Sequence, residues 1–150
     1  LHPRVRRQRQ MCIRDRLRRN HISYLMQNYG LVDTETVEYN LAISARFKKL
    51  SKAQKKLLFS SALEQIGLPG YEKRKIYTLS GGEQQRVALA KIIVKSPQLI
   101  LADEPTGSLD ARNRDTVLAA LRHFNEEGKT IVVVTHDPTV NACAKKHIHL

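Results

Sequence analysis

The chain has 150 residues, 41% hydrophobic and 27% charged, which suits one globular domain or a large part of one. Its longest apolar runs have the length of a strand, so no segment approaches the roughly 20 residues that span a bilayer. Two cysteines, Cys12 and Cys143, are too few for a disulfide framework or a cysteine-rich metal site and favour a reducing compartment.

The net charge of +12 points to nucleic acid as a partner, but its distribution weakens that interpretation. Residues 1–19 hold eight arginines and one aspartate, which is +7 of the total. Residues 1–17 lack both an amphipathic period and turn residues. We expect a disordered or artefactual basic segment there, with a basic arm for nucleic acid or lipid head groups as the alternative. The remainder is only mildly basic, and we expect no nucleic-acid partner.

From Arg18 onwards the pattern alternates between strands and helices. The first half predicts a strand at His21–Met26, a helix at Thr36–Lys48 and a capped helix from Ser51 to about Ile66. The second half predicts a helix from Ser80 to before Pro97, a strand at Gln98–Ala102, a helix from Asp110 to about Glu127, a strand at Thr130–Thr135, a short helix after Asp137 and the start of a strand at His147–Leu150. Apolar strands joined through helices imply βαβ crossovers in a buried parallel sheet, and therefore an α/β fold.

The first candidate site lies at Ser80-Gly81-Gly82-Glu83. Ser80 and Glu83 have the spacing of a capping box, and the two glycines leave the first turn of the helix open to a ligand. Free N–H groups and a partial positive charge suit a phosphate there. An ordinary helix start would explain these four residues alone. The complete run LSGGEQQRVALAK, Leu79 to Lys91, resembles the signature motif of ATP-binding cassette (ABC) ATPases, and we call it the signature segment.

The second candidate site is the run LILADEP, which brings Asp103 and Glu104 to the end of an apolar strand. Ligands of open α/β sheets bind at this edge, and adjacent carboxylates there can hold Mg²⁺ or polarise a water molecule. A solvated strand end is the alternative. The run resembles the Walker B motif followed by the catalytic glutamate of ABC ATPases.

Three shorter elements strengthen the resemblance through their order along the chain. TGSLD, Thr106 to Asp110, resembles the D-loop, which crosses the dimer interface in the family. His136 follows the strand TIVVVT and resembles the switch histidine that contacts the γ-phosphate. Gln27, in SYLMQNYGLV, resembles the Q-loop glutamine that senses Mg²⁺ and the attacking water.

The resemblance covers about residues 18–150 and implies the C-terminal part of an ABC ATPase domain of the P-loop NTPase type, with a helical subdomain at about 36–95. ADEPTGSLD and QNYGLVDTETVEYNL are most similar to the macrolide-exporter and lipoprotein-releasing branch. GLPGYEKRKIYTLSGGEQQRVALAK resembles bacteriocin-export ATPases of the lactococcin 972 group. The implied site uses Glu104, His136 and Gln27 for catalysis, Asp103 and Gln27 for the metal, and Ser80, Gly81, Gly82, Glu83 and Asp110 for the nucleotide.

One motif of the family is missing from these 150 residues: no G-x-x-x-x-G-K-[ST] phosphate loop occurs. HFNEEGKT, His123 to Thr130, has histidine where the first glycine belongs, and it lies between a helix and a strand instead of a strand and a helix. In the family the phosphate loop precedes the Q-loop. We therefore expect an N-terminally truncated cassette with negligible ATPase activity alone.

The resemblance implies an ATP- and Mg²⁺-dependent ATPase that powers an exporter of peptides, bacteriocins or related compounds from the cytoplasmic face of the membrane. Its partners would be permease subunits that span the membrane and a second ATPase subunit, in a homodimer. A DNA-repair or chromosome-maintenance ABC ATPase is the main alternative. In those proteins a long coiled coil separates the Q-loop from the signature, whereas Gln27 and Ser80 lie only 53 positions apart here. An inert fragment is the third possibility.

Overall fold

The fold is known from a computed structural model that describes residues 3–26, 28–107 and 109–148, with the backbone alone for residues 3–10 and 112. Three strands form a parallel sheet in the order β1-β2-β3, namely β1 (Ile22–Leu25), β2 (Leu99–Asp103) and β3 (Thr130–Val134). The helices are α1 (Pro3–Asn20), α2 (Val37–Ser44), α3 (Lys52–Gln65), α4 (Gly81–Lys95), α5 (Ala111–Glu126) and α6 (Pro138–Ala142). No helix in the described ranges is long and apolar enough to cross a membrane.

The sheet confirms the predicted βαβ arrangement and the α/β fold class. In its register, Ile22 lies opposite Leu99, and Leu99 lies opposite Thr130, so the three strands begin at the same edge and end at the same edge. Ile100 and Ala102 of the central strand are buried. Because parallel strands end together, the residues after β2 and β3 are brought side by side.

Strand β3 is less buried than its apolar sequence predicts. Val132 and Val134 are about half exposed, at 48% and 55% of their surface. The reason is that Val132 and Val134 lie on the same face of the sheet as Tyr24, which is 48% exposed, and the described helices leave that face largely uncovered. Ile131 and Val133, on the other face, pack against the core. The expectation of buried strands on both sides of the crossover is therefore correct for β2 and incorrect for β3.

A helical unit lies between β1 and β2. Thr36 and Lys75 form an isolated antiparallel bridge, and the amide of Val37 donates to the carbonyl of Arg74 at 2.9 Å. These contacts close the unit at its base. Helix α3 begins at the predicted capping box, in which Gln54 N donates to Ser51 Oγ at 3.2 Å and Ser51 N donates to Gln54 Oε1 at 2.8 Å.

Helix α4 lies at the centre of the structure and packs against α2, α3, α5 and β1. Most of its side chains are apolar, and their burial removes them from water on several sides of the helix. The buried members are Val87, Ala88, Leu89, Ala90, Ile92 and Val94. The N-terminus of this helix, which carries the signature segment, is therefore set on a rigid support.

Three predicted elements differ from the structure. Helix α1 covers Pro3–Asn20, whereas disorder was one of the two expectations for residues 1–17. Arginine, glutamine and leucine favour a helix by local propensity alone, and the exposure of Met11 and Ile13 agrees with the missing amphipathic period. Helix α2 ends at Ser44 instead of Lys48, and residues 147–148 are not in a strand.

Helix α3 offers a matched test of the packing. We expect Leu63→Ala to lower the free energy of unfolding by about 2–5 kcal/mol, because Leu63 is fully buried and its truncation leaves a cavity. Leu57→Ala, on the same helix but 72% exposed, should change it by less than about 0.5 kcal/mol. Urea unfolding followed by circular dichroism measures both, and equal losses would contradict the packing described here.

Candidate functional site

The signature segment opens helix α4 through a complete capping box. Glu83 N donates to Ser80 Oγ at 3.3 Å, and Ser80 N donates to Glu83 Oε2 at 2.8 Å. Ser80 and Gly81 are exposed. The first N–H groups of a helix have no partner inside it, so this exposed end can receive an anionic ligand.

Glu83 is held on both of its carboxylate oxygens. While Oε2 accepts from Ser80 N, Oε1 accepts from the Tyr71 hydroxyl at 2.8 Å. The Ser80 backbone N–H first, and then the Tyr71 hydroxyl, lower the pKa of Glu83 from its ordinary value of about 4.5. Glu83 therefore shapes the helix start in its ionised form.

The two glycines of the signature segment have different surroundings. A Cβ at Gly82 would lie 2.5 Å from three side-chain atoms of Asn113, whereas a Cβ at Gly81 would meet only Tyr29 Oη, at 3.7 Å. Asn113 is fixed by Asp110, whose carboxylate accepts from Asn113 N at 2.9 Å and from Asn113 Nδ2 at 2.8 Å. Asp110 is thus the N-cap of α5, and through Asn113 it bears on the signature segment.

The second part of the site lies at the end of β2. Asp103 is exposed as the last residue of the strand, and Glu104 follows it with a φ of +43°. A residue other than glycine adopts this left-handed conformation at a cost of about 1–3 kcal/mol, which the surrounding contacts must offset. Residues 104–107 form a turn closed by Gly107 N, which donates to the Glu104 carbonyl at 3.2 Å. We call residues 104–107 the acidic turn.

Strand β3 orients the Glu104 side chain. Oε1 accepts from His136 N at 2.9 Å, and Oε2 accepts from Thr135 Oγ1 at 3.1 Å. The Glu104 amide in turn donates to the Val134 carbonyl at 2.9 Å. The carboxylate is 23% exposed, so its remaining lone pairs can reach solvent. The His136 imidazole is fully exposed, with Nε2 3.9 Å from Glu104 Oε1.

Asp137 makes a second connection between the two strand ends. Its carboxylate accepts from Thr139 N at 2.8 Å, which caps α6, and from Thr106 Oγ1 at 3.2 Å. Arg114 NH1 lies 3.9 Å from the same carboxylate. The Thr139 backbone N–H, with smaller contributions from Thr106 and Arg114, lowers the pKa of Asp137. The acidic turn is therefore fixed to α5 and α6 as well as to β3.

The structure thus brings Asp103, Glu104 and His136 to one sheet edge, as the strand order predicted. Gln27 lies outside the described residues. No group of three or more histidine, cysteine, aspartate or glutamate side chains suited to a metal ion occurs in the described ranges. The single exposed carboxylate of Asp103 fits a Mg²⁺ ion that takes its other ligands from phosphate and water.

Comparisons with known proteins agree with these motifs. A family model described as ABC transporter matches residues 4–107. Macrolide export ATP-binding/permease proteins MacB are similar, with 39% identity over 134 residues in Shigella flexneri and 40% over 137 residues in Photorhabdus laumondii. The dimeric structure of a post-hydrolysis state of the ATP-binding cassette MJ0796, bound to ADP and Pi, has a TM-score of 0.74 at 34% identity.

This chain belongs to the ABC transporter family. It is covered to 89% by each MacB match but spans about a fifth of those relatives, 21% of their length. Of the MJ0796 cassette it spans 56%, with 84% of this chain covered. The three-stranded parallel sheet with its flanking helices is the matching part of the ABC cassette fold.

Several residues of this ABC site were not predicted from the sequence. Thr135 and Asp137 flank His136 and bind Glu104 and Thr106, and a hydroxyl and a carboxylate at a strand end were the available signals. Tyr71 and Asn113 act on the signature segment from positions that only the tertiary fold brings close. No periodicity or local motif indicates either of them.

The two signature glycines give a matched pair of variants. Gly82→Ala should lower the free energy of unfolding by about 1–3 kcal/mol, because the new methyl group overlaps the Asn113 side chain. Gly81→Ala should be neutral or stabilising by up to about 1 kcal/mol, since the space is open and alanine favours a helix. Urea unfolding measures both, and Asn113→Ala should relieve the Gly82→Ala defect in the double variant. Equal effects of the two alanines would disprove the assigned contact.

Glu83 predicts a dependence of stability on pH. Because its pKa is lower in the folded than in the unfolded chain, its contribution is complete above about pH 4.5 and is lost as pH falls through the folded pKa. Glu83→Gln keeps a capping partner without the charge. The difference in unfolding free energy between wild type and Glu83→Gln should therefore shrink on acidification. Tyr71→Phe should reduce this pH dependence, and a difference that stays constant with pH would contradict the assignment.

Proposed function

We propose that this chain forms part of the ATP-hydrolysing domain of a subunit that powers a membrane transporter. The observation that carries the proposal is that one chain holds both a capped signature segment with an exposed start and a strained acidic turn whose Glu104 accepts from His136 N after β3. The subunit would act at the cytoplasmic face of the membrane, bound there through permease subunits, and would pair with a second copy of itself. The dimeric state described for the MJ0796 cassette supports that pairing.

In this proposal the signature segment serves the nucleotide of the partner subunit. Ser80, Gly81 and Gly82 present the open N-terminus of α4 to the phosphates of ATP, where free N–H groups and the helix dipole favour negative charge. Glu83 keeps the turn in shape through Ser80 and Tyr71. Asp110 acts on the same nucleotide site by fixing Asn113 against Gly82.

The acidic turn and the neighbouring residues Asp103 and His136 would carry out the hydrolysis. Glu104 would orient and polarise the attacking water, since its carboxylate is fixed by Thr135 and His136 N yet remains partly exposed. The His136 imidazole, which lies beside Glu104 and is fully exposed, would contact the γ-phosphate. Asp103 would hold Mg²⁺, which neutralises charge on the phosphates when bound, and Gln27 would complete the metal and water site.

We also propose domain limits that follow the contacts. The helical subdomain spans about residues 36–95, because the Thr36–Lys75 bridge closes it and α4 completes its core. We place the start of the ABC part at about residue 18, although the match to the family model begins at residue 4. Residues 1–17 lie outside that part, and the described side chains of α1, from Met11 to Asn20, are all exposed.

For the transported compound we propose export of peptides, bacteriocins or related molecules. The similarity to MacB, whose name describes macrolide export, supports an exporter of the same branch. The bacteriocin assignment rests only on the stretch from Gly67 to Lys91. Asn28 to Asn40, which follow the Q-loop glutamine, would face the permease.

A DNA-associated ABC ATPase remains the alternative from another class. The connection between β1 and α4 favours transport, because its described residues hold just two α-helices, α2 and α3, of 8 and 14 residues. A long coiled coil would need many more residues there. The positive charge carries little weight, since most of it lies in residues 1–19.

The activity test compares two proteins. The 150-residue chain alone is proposed to be inactive, because it has no phosphate loop to hold ATP opposite Glu104. A fusion that places the phosphate-loop half of an active ABC cassette before residue 18 should hydrolyse ATP. In that fusion, Glu104→Gln should lower kcat by about 100-fold or more, because the water loses its general base. Phosphate release measures the rate in each protein.

Leu57→Ala in the same fusion is the matched control, since Leu57 is exposed on α3 and is not one of the site residues. It should leave kcat unchanged. A folded fusion without ATP turnover, or one whose kcat is unchanged by Glu104→Gln, would refute the proposed function. Turnover by the 150-residue chain, lost on Glu104→Gln, would sink the proposal of inactivity alone.

A further inference from the structure

We propose that Gln85 is a positioning residue for Glu104, because it fastens the signature helix α4 to the acidic turn. Its side-chain amide Nε2 donates to the carbonyl of Pro105, the residue directly after Glu104. The two residues are 20 positions apart in sequence. This inference rests on the proposed function only in giving Glu104 its role in hydrolysis.

The hydrogen bond between Gln85 and Pro105 is buried. Gln85 is 2% exposed, and Pro105 and Thr106 are buried as well. Gln85 Oε1 is also buried and has no hydrogen-bond partner among the described residues. Burial of this side-chain amide with Oε1 unpaired costs free energy. The hydrogen bond from Nε2 to Pro105 offsets that cost.

The acidic turn requires such a fastening. Glu104 has a left-handed backbone at φ +43°, and an extended or helical alternative would turn its carboxylate away from Thr135 and His136. From one side, β3 and Asp137 hold the turn through Glu104 N and Thr106 Oγ1. Gln85 lies in α4, which precedes the turn in sequence, and it holds the turn through Pro105, the residue between Glu104 and Thr106.

A separate contact joins the signature helix α4 to the start of α5, on the other side of the acidic turn in sequence. The Asn113 side chain, fixed by Asp110 at the start of α5, occupies the space that a Cβ of Gly82 would need. Gly82 and Gln85 lie in the same first turns of α4. The signature helix is therefore fastened to the chain on both sides of residue 108, and it should move together with the acidic turn.

Amide hydrogen exchange followed by NMR on the 150-residue chain tests this without ATP turnover, so its failure is distinguishable from failure of the proposed function. Gln85→Met keeps the volume and removes the donor. The amides of Glu104 and Gly107 should exchange about tenfold faster, as expected for the loss of one hydrogen bond. Those of Leu89 and Ile100, in the core of α4 and β2, should keep their protection.

The neighbouring glutamine provides the matched control. Gln84 Nε2 donates to the carbonyls of Ile76 and Leu79, at 3.3 and 3.1 Å, and makes no bond to the acidic turn. Gln84→Met should therefore leave exchange at Glu104 and Gly107 unchanged. Unchanged exchange in Gln85→Met, or an equal acceleration at Leu89, would overturn the proposal, the latter because it indicates a general loss of stability.

A measurement on the unmodified chain covers the case in which Gln85→Met does not fold. The Nε2 hydrogens of Gln85 should exchange with water far more slowly than those of Gln65, which is exposed and bonded to Ser61 Oγ at 3.4 Å. Equal exchange of the two side-chain amides would show that the Gln85 bond does not persist, and would overturn the proposal.

Discussion

The burial of helix α4 is the constraint on which the rest of the structure depends. Val87, Leu89 and Ile92 are almost fully buried, and the helix packs against α2, α3, α5 and β1 at once. A helix enclosed in this way cannot rotate or slide without exposing apolar surface. Its N-terminus is consequently a fixed point, and the signature segment gains a defined direction before any ligand is present.

The same constraint explains the position of the acidic turn. Polar side chains on an enclosed helix need partners, and Gln85 finds one in the carbonyl of Pro105. The strained backbone at Glu104 is balanced by bonds from three directions, which come from α4, from the end of β3 and from Asp137. Strain of this kind persists where several contacts determine it together, and such positions concentrate at functional sites.

The fold and the motif positions were predictable from the sequence because their causes are local. The capping boxes at Ser51 and Ser80 depend on residues three positions apart, and both occur as predicted. The apolar run before Asp103 predicted a strand, and the parallel order followed from the helices between strands. The match to the ABC family agrees with the run from Leu79 to Lys91, the most specific of these signals.

The remaining features depend on tertiary contacts that no local pattern contains. Phe47 lies within the helix predicted at Thr36–Lys48, yet it is 55% exposed beyond the end of α2, with the Arg19 guanidinium 5.2 Å from its ring centroid. Glu104 adopts a left-handed backbone, and no glycine at this position indicated that conformation in the sequence. Val132 and Val134 look like core residues, and their exposure follows from the sheet face that the described helices leave uncovered.

The contacts around the acidic turn have a consequence for the way one chain can serve two nucleotides. In the proposed dimer, the signature segment meets the partner's ATP, while Glu104 serves the nucleotide of its own subunit. Gln85 joins these two surfaces within one chain through its buried hydrogen bond to Pro105. A displacement of α4 by one nucleotide therefore has to be accommodated by the turn that carries Glu104. In this proposal, coupling between the two sites needs no long pathway, because one helix and the turn hydrogen-bonded to it connect them directly.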